Sequence, residues 1–249
     1  MQRGGGVLTL PQEFEIDPLL GIKIAEYEEA CPYLEDHNSI LPLYLPMGPV
    51  DGPTFDQALE RGARRTGPYL YVTNCPSCQA CESIRLEIAK FSSRRRHKRV
   101  IKKCSDRVTV EIGTPIADQQ RVDLYNRHKV QRDLGSSLVD LEEYEGFLVS
   151  SCCQTLEFRY LVEGKLIGIA IADLGKESLS AVYCYFDPDY SDLNIGTYSV
   201  LKHIEYCRNY DIRFLYLGFY IADCSHMNYK ANYLPHQRLI DGQWITFER

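Results

Sequence analysis

"TLEFRYLVEGKLIGIAIAD", residues 155–173, reads as strand, tight turn, strand: two apolar runs meet at Glu163-Gly164-Lys165. A third run, "LSAVYCYFDPDY" (179–190), follows and is stopped by Pro188. "NIGTYSVLKHIEYCRNY" (194–210) then sets Val200, Leu201, Ile204 and Cys207 on one helical face. "RFLYLGFY" (213–220) supplies a fourth strand. Strand, strand, strand, helix, strand with no long linker predicts an α+β layer, a mostly antiparallel sheet flanked by helices.

Upstream, "IADQQRVDLYNRHKVQRDL" (116–134) and "DLEEYEGFLVSS" (140–151) read as helices, and "RVTVEI" (107–112) alternates as a strand. "SIRLEIAKF" (83–91) sets Ile84, Leu86 and Ile88 against Arg85, Glu87 and Ala89, the period of a half-buried strand. "PYLYVTN" (68–74) is another strand, and "TFDQALERGARR" (54–65) a short helix with Thr54 as its N-cap. Pro and Gly punctuate 31–70, which reads as loop-rich, and residues 1–30 read as loosely ordered. The expected division is a smaller Cys-containing domain over 1–110 and the sheet-and-helix layer over 111–249.

Apolar residues make up 45% and charged residues 25% of the 249, the balance of a soluble globular protein. There is no leader pattern and no run approaching 18 apolar residues, so a cytoplasmic protein without a membrane partner is expected. The net charge of -6 hides one basic run, "RRRHKRVIKK" (94–103), with seven Lys or Arg. One basic segment on an acidic body argues against DNA coating. It suits a local anionic partner such as RNA phosphates, or else forms a solvated helix face. In "TNCPSCQACESIR" (73–85) the C-x2-C-x2-C spacing of Cys75, Cys78 and Cys81 suits Zn²⁺ or an iron–sulfur cluster, against reduced thiols in a small core.

The element order after residue 150 is similar to that of GNAT acyltransferases. There the turn before the helix binds a pyrophosphate through backbone N–H groups. Here that turn, "DPDYSDLNIGTYS" (187–199), has Gly196 but no glycine-rich loop, which argues against a coenzyme A-dependent N-acetyltransferase. A non-catalytic RNA-binding module would explain the cysteines and the basic run but not the second half.

"CPYL" (31–34), "FDQALERGARRTGPYLY" (55–71), "NCPSCQACESIRLEIAKF" (74–91), "AVYCYFDPDYSDLNIGTYSVL" (181–201) and "FLYLGFYIADCSHMNYKANYLPHQRLIDGQW" (214–244) together resemble the N-end rule aminoacyl-tRNA–protein transferases. The short bacterial branch, the aspartate/glutamate leucyltransferases, matches best. Departures are Ala63 in place of an aromatic residue and Thr66 in place of Ser.

The resemblance implies transfer of leucine from leucyl-tRNA to the α-amino group of proteins beginning with Asp or Glu, which makes an N-degron. Arginyl-tRNA is the alternative donor. Aminoacyl-tRNA is then a co-substrate, and no cofactor is required. Such chemistry needs positioning, removal of one proton and an oxyanion stabiliser. Asp173, closing an apolar strand, is the expected base and Glu157 the second choice, against a turn cap and an outward-facing residue respectively. Arg85 is the expected reader of the acidic acceptor, against a surface pair with Glu87 or Glu82. Lys230 and Tyr229 are expected at the acceptor, with Tyr216 and Tyr220 on one strand face beside them. Arg94, Arg95, Arg96, Lys98, Arg99 and Gly196 are assigned to the tRNA. Cys31 joins Cys75, Cys78 and Cys81 as a fourth ligand.

Overall fold

The computed structural model describes residues 7–9, 15–132 and 137–248. The glycine triplet 4–6 and the last two residues of the helix expected over 116–134 lie outside them.

The chain first makes β1 (Val7–Thr9), β2 (Ile16–Asp17), β3 (Gly21–Ala30) and β4 (Asn38–Leu45). Helix α1 (Gly52–Glu60) follows, then the short hairpin β5 (Arg64–Thr66) and β6 (Tyr69–Tyr71). These strands form one sheet in the order β1-β3-β4-β6-β5, with β2 also paired to β3. Much of the stretch expected to be loose or loop-rich is therefore strand. The signal is hidden because β3 is largely half-buried, carries four charged residues and keeps no clean apolar alternation; β4 contains Pro42. Helix α1 is capped by Asp51, whose Oδ1 accepts from the Thr54 backbone N–H at 2.9 Å. Thr54, the expected cap, lies inside the first turn.

The rest is β7 (Glu82–Glu87), α2 (Arg95–Ser105), β8 (Thr109–Gly113), α3 (Gln119–Gln131), α4 (Leu141–Tyr144), β9 (Thr155–Val162), β10 (Lys165–Leu174) and β11 (Ser178–Phe186). After these come α5 (Ile195–Asn209), β12 (Phe214–Tyr220), α6 (Ser225–Asn228), β13 (His236–Ile240) and β14 (Gln243–Phe247). Eight strands order as β14-β13-β7-β12-β11-β10-β9-β8. Neighbours are antiparallel except β11 and β12, which are parallel. The fold is thus a mixed α/β arrangement of antiparallel and mixed sheets. Residue 110 falls within β8, and β7, from the earlier part of the chain, lies deep in the larger sheet.

Burial on both faces explains the sequence of the central strands. Residues of β10 alternate between two cores: Ile167, Ala170 and Ala172 pack with α5, while Ile169 and Ile171 pack with Val122 and Tyr125 of α3. A strand covered on both sides reads as one apolar run. Strand β7 is likewise covered: Ser83, Ile84, Arg85 and Leu86 are all buried, so it is not half-exposed. Its second cover is α1, whose Ala58 and Leu59 meet Tyr216 of β12 and Leu70 of β6, joining the two sheets.

Strands β11 and β12 pair only through Ser178↔Phe214, Leu179↔Leu215 and Ser180↔Tyr216. Past these residues the two strands are not paired and leave a split. Just there β12 slips register between Tyr216 and Gly218, and Gly218 takes φ 91°, a conformation that favours glycine. The slip reverses the alternation. Tyr216 packs with α1, whereas Tyr220 packs on the cluster holding Leu86 and Ile204. These two tyrosines, expected on one face, lie on opposite faces.

Candidate active site at the split between two strands

The hairpin β5–β6 lays its first strand against the end of the larger sheet. Successive strand residues point in opposite directions, so Arg64 and Arg65 reach different places. Arg65 Nε donates to Asp173 Oδ2 at 2.7 Å, and its Nη1 donates to the carbonyls of Gly67 and Ser150, both at 3.0 Å. Thr155 Oγ1 donates to the other Asp173 oxygen at 2.8 Å. Burial pulls the Arg65 guanidinium down, but the Asp173 carboxylate outweighs it and the net shift is upward. Asp173 is fully buried, with both oxygens engaged. It does not cap the turn that follows. That turn is held by Asp56 of α1, which accepts from the backbone N–H groups of Lys176 (3.1 Å) and Glu177 (2.8 Å) and from the Ser178 hydroxyl. Glu157 is fully buried rather than outward-facing. It takes a fork from Arg121, Nε at 3.0 Å and Nη2 at 2.7 Å, and a third bond from Arg159.

Arg64 points into the split. Its Nη2 donates to the Ala181 carbonyl of β11 at 2.8 Å, while Nη1 is buried with no hydrogen-bond partner among the described residues. From the other side Lys230 Nζ donates to the Phe219 carbonyl of β12 at 2.7 Å and lies 3.4 Å from Met227 Sδ. Both residues are buried, and neither has an acidic partner among the described residues. A methyl group placed on Gly218 would lie 3.5 Å from Arg64 Nη2 and from Lys230 Nζ, so both cations face one point. Burial, then the charge of Arg64, brings the Lys230 ammonium down to about 7. Burial also lowers Arg64. Tyr229, next to Lys230, is exposed.

Arg85 is buried and committed. Nε donates to Gln237 Oε1 at 2.7 Å, Nη1 donates to Tyr216 Oη at 2.9 Å, and Nη1 also pairs with Glu60. Its guanidinium lies between Phe214 (4.1 Å) and Trp244 (3.9 Å). Its acidic partner is Glu60 of α1; Glu82 and Glu87, the partners weighed against a reading role, pair with Arg238 and Lys90 instead. Tyr220 instead stacks under Arg238, 4.5 Å from its ring.

The basic run forms α2, with Arg94 at its N-cap. Arg94, Arg95, Arg96, Lys98 and Arg99 are exposed, and among the described residues Lys103 is the run's only cation with an acidic partner. One end of α2 is tied to the segment after Lys230: Arg96 donates to the Asn232 carbonyl, and His97 stacks on Tyr233 at 5.3 Å. The other end meets the turn before α5, where Lys103 pairs with Asp192 at 3.1 Å and Cys104 Sγ donates to the Leu193 carbonyl at 3.2 Å. Gly196 sits in the first turn of α5, where an added methyl would only touch Phe186 at 3.7 Å.

Cys31, Cys75, Cys78 and Cys81 line one cavity with Tyr33, Tyr71, Phe219 and Ile221. Burial and then the other three thiols push Cys81 up to about 12. Yet among the described residues no three His, Cys, Asp or Glu side chains are arranged to hold a metal ion. The site residues that sequence reasoning missed are Arg64 and Arg65. Their signal was a pair of adjacent arginines in a short strand between Gly62 and Gly67.

Residues 120–240 match the family model described as arginine-tRNA-protein transferase, C terminus, and residues 29–99 match its N terminus. The chain is 33% identical over 221 residues to an aspartate/glutamate leucyltransferase of Acinetobacter baumannii, spanning 88% of this chain and 82% of that protein. It is 35% identical over 217 residues to a protein of the same description from Halorhodospira halophila, spanning 86% and 91%. The crystal structure of FemX aligns with 86% of this chain and 79% of its own, at 10% identity and a TM-score of 0.44.

Proposed function

The chain belongs to the arginine-tRNA-protein transferase family, and we propose that it transfers leucine from leucyl-tRNA to the α-amino group of proteins that begin with Asp or Glu. The product carries a new N-terminal leucine and so becomes an N-degron. The observation that carries this reading is the split between β11 and β12, where two buried cations without carboxylate partners face one point beside an exposed basic helix.

In this reading the larger sheet is a GNAT-like acyltransferase layer that takes an aminoacyl ester in place of an acyl thioester, and the protein works in the cytoplasm. The phosphates of the tRNA lie along Arg94, Arg95, Arg96, Lys98 and Arg99, and the turn at Gly196 borders the same surface. The 3′ aminoacyl end reaches the split, past Tyr229. The acceptor amine attacks the ester carbonyl carbon; the C–N bond forms, the C–O bond to the ribose breaks, and a proton passes from the amine to the departing oxygen or to solvent. An α-amine with a reference pKa of about 7.7–8.0 is partly neutral near pH 7, so the remaining demand is placement and stabilisation of the oxyanion.

Lys230 serves as an acceptor-side group at the split. Asp173, expected as the base, serves here as the positioning residue that anchors Arg65 and with it the β5 hairpin bearing Arg64. Glu157 does the same for Arg121. Arg85, held by Glu60 and Tyr216, shapes the acceptor side of the sheet. The donor set of Cys31, Cys75, Cys78 and Cys81 suits Zn²⁺ or an iron–sulfur cluster, but its arrangement does not, and no step of the transfer is assigned to such a group.

The test is incubation of the protein with labelled leucyl-tRNA or arginyl-tRNA and peptides beginning with Asp, Glu, Lys or Ala. Label is expected on the Asp and Glu peptides from leucyl-tRNA. No transfer to any peptide from either tRNA rejects the reading, and transfer from arginyl-tRNA alone changes the donor.

A further inference from the structure

Recognition of the acidic side chain of the acceptor needs a group of its own. A carboxylate is best read by a fixed guanidinium with free N–H groups. Arg85 is poorly placed for that work. Its fork already holds Glu60, Gln237 and Tyr216, and two aromatic rings close its faces. An incoming carboxylate would have to displace Glu60.

Arg64 has the opposite character. It donates to the Ala181 carbonyl at 2.8 Å, and among the described residues its buried Nη1 has no partner. Asp173 lies within its field, yet that carboxylate is held by Arg65 at 2.7 Å. Lys230 faces the same point from β12, satisfied only by a carbonyl and a thioether. A buried polar N–H without a partner is costly, and more so when it belongs to a charged group. Two like charges buried together add to that. An entering carboxylate offsets both penalties at once. Gly218 keeps the meeting point clear, since a side chain there would lie between the two cations.

We propose that Arg64, with Lys230 beside it, receives the side-chain carboxylate of the acceptor's first residue and so sets the preference for Asp and Glu. The inference rests on the transferase reading.

The experiment compares the wild type with Arg64→Gln and Arg64→Lys, using leucyl-tRNA and peptides beginning with Asp, Glu, Asn or Gln. Losing a charge-assisted bond predicts a KM for the Asp and Glu peptides raised by about 10- to 100-fold in Arg64→Gln. The KM values for leucyl-tRNA and for the Asn and Gln peptides change far less than those for the Asp and Glu peptides, and Arg64→Lys falls between. An equal loss with all four peptides, or a rise confined to the KM for leucyl-tRNA, overturns the assignment while leaving the transferase reading intact. Failure of the wild type to transfer leucine at all removes both. Should Arg64→Gln fail to fold, calorimetry on the wild type without tRNA decides. Asp peptides are expected to bind at least about 10-fold more tightly than Asn peptides, and equal affinity overturns the proposal.

Discussion

At the scale of single residues, the ionic groups sealed inside the fold matter most. Removing one member of a buried ion pair strands the other and costs about 3–5 kcal/mol. Asp173→Ala is therefore expected to unfold at a markedly lower denaturant concentration, because Arg65 loses its partner at 2.7 Å. The double variant Arg65→Met with Asp173→Leu should recover most of that loss, as read from the same unfolding midpoint. His203 of α5 is a different case. Both ring nitrogens are buried with no partner among the described residues, and burial alone pulls the imidazole down to about 4. In the unfolded chain the ring takes its proton near pH 6.5, so the folded state loses ground as pH falls from 6.5 towards 4. A shift of that size corresponds to about 3 kcal/mol. His203→Phe, whose ring would keep the packing on Phe158, is expected to flatten the wild-type loss of stability across that range, measured by chemical denaturation at pH 7, 5.5 and 4.

At the scale of elements, α2 is the clearest separable part, since its cations project from one exposed face. Binding depends on salt in proportion to the number of phosphates neutralised. Replacing Arg95, Lys98 and Arg99 by Gln should weaken leucyl-tRNA binding and flatten the slope of log affinity against log salt by about 2–3, while unfolding stays near wild type. The helix was legible because seven cations sit in ten residues. The β9–β10 hairpin, β11, α5 and β12 were legible too, each carrying an uninterrupted apolar period. The site was less so. Arg85 stands in an alternating strand and looks solvent-facing until α1 covers it. The register slip at Gly218, which turns Tyr220 away from Tyr216, leaves no trace in local periodicity. Arg64 and Arg65 differ only in which way the β5 backbone points them, and that direction comes from tertiary docking.

For the whole molecule, the connection that matters is β7. It pairs with β12 on one side and β13 on the other, although some 130 and 150 residues, respectively, separate it from them. A division into independent halves at residue 110 therefore leaves the larger sheet incomplete. A fragment of residues 111–249 exposes the facing edges of β12 and β13, and unpaired edges invite association. Such a fragment is expected to sediment as aggregates, whereas co-expression with residues 1–110 should restore a soluble complex. Recovery of a monomeric, cooperatively unfolding 111–249 fragment would contradict this picture.

The placement of β7 also sets a schedule for the ribosome. The strand is synthesised well before β12 and β13, its pairing partners. Until they emerge, Ile84 and Leu86, fully buried in the finished protein, have no partner strand to join. The nascent chain thus carries an apolar strand unpaired while more than a hundred further residues are added, about the separation of the two pairing segments, and closure of the sheet must wait for the β13–β14 hairpin.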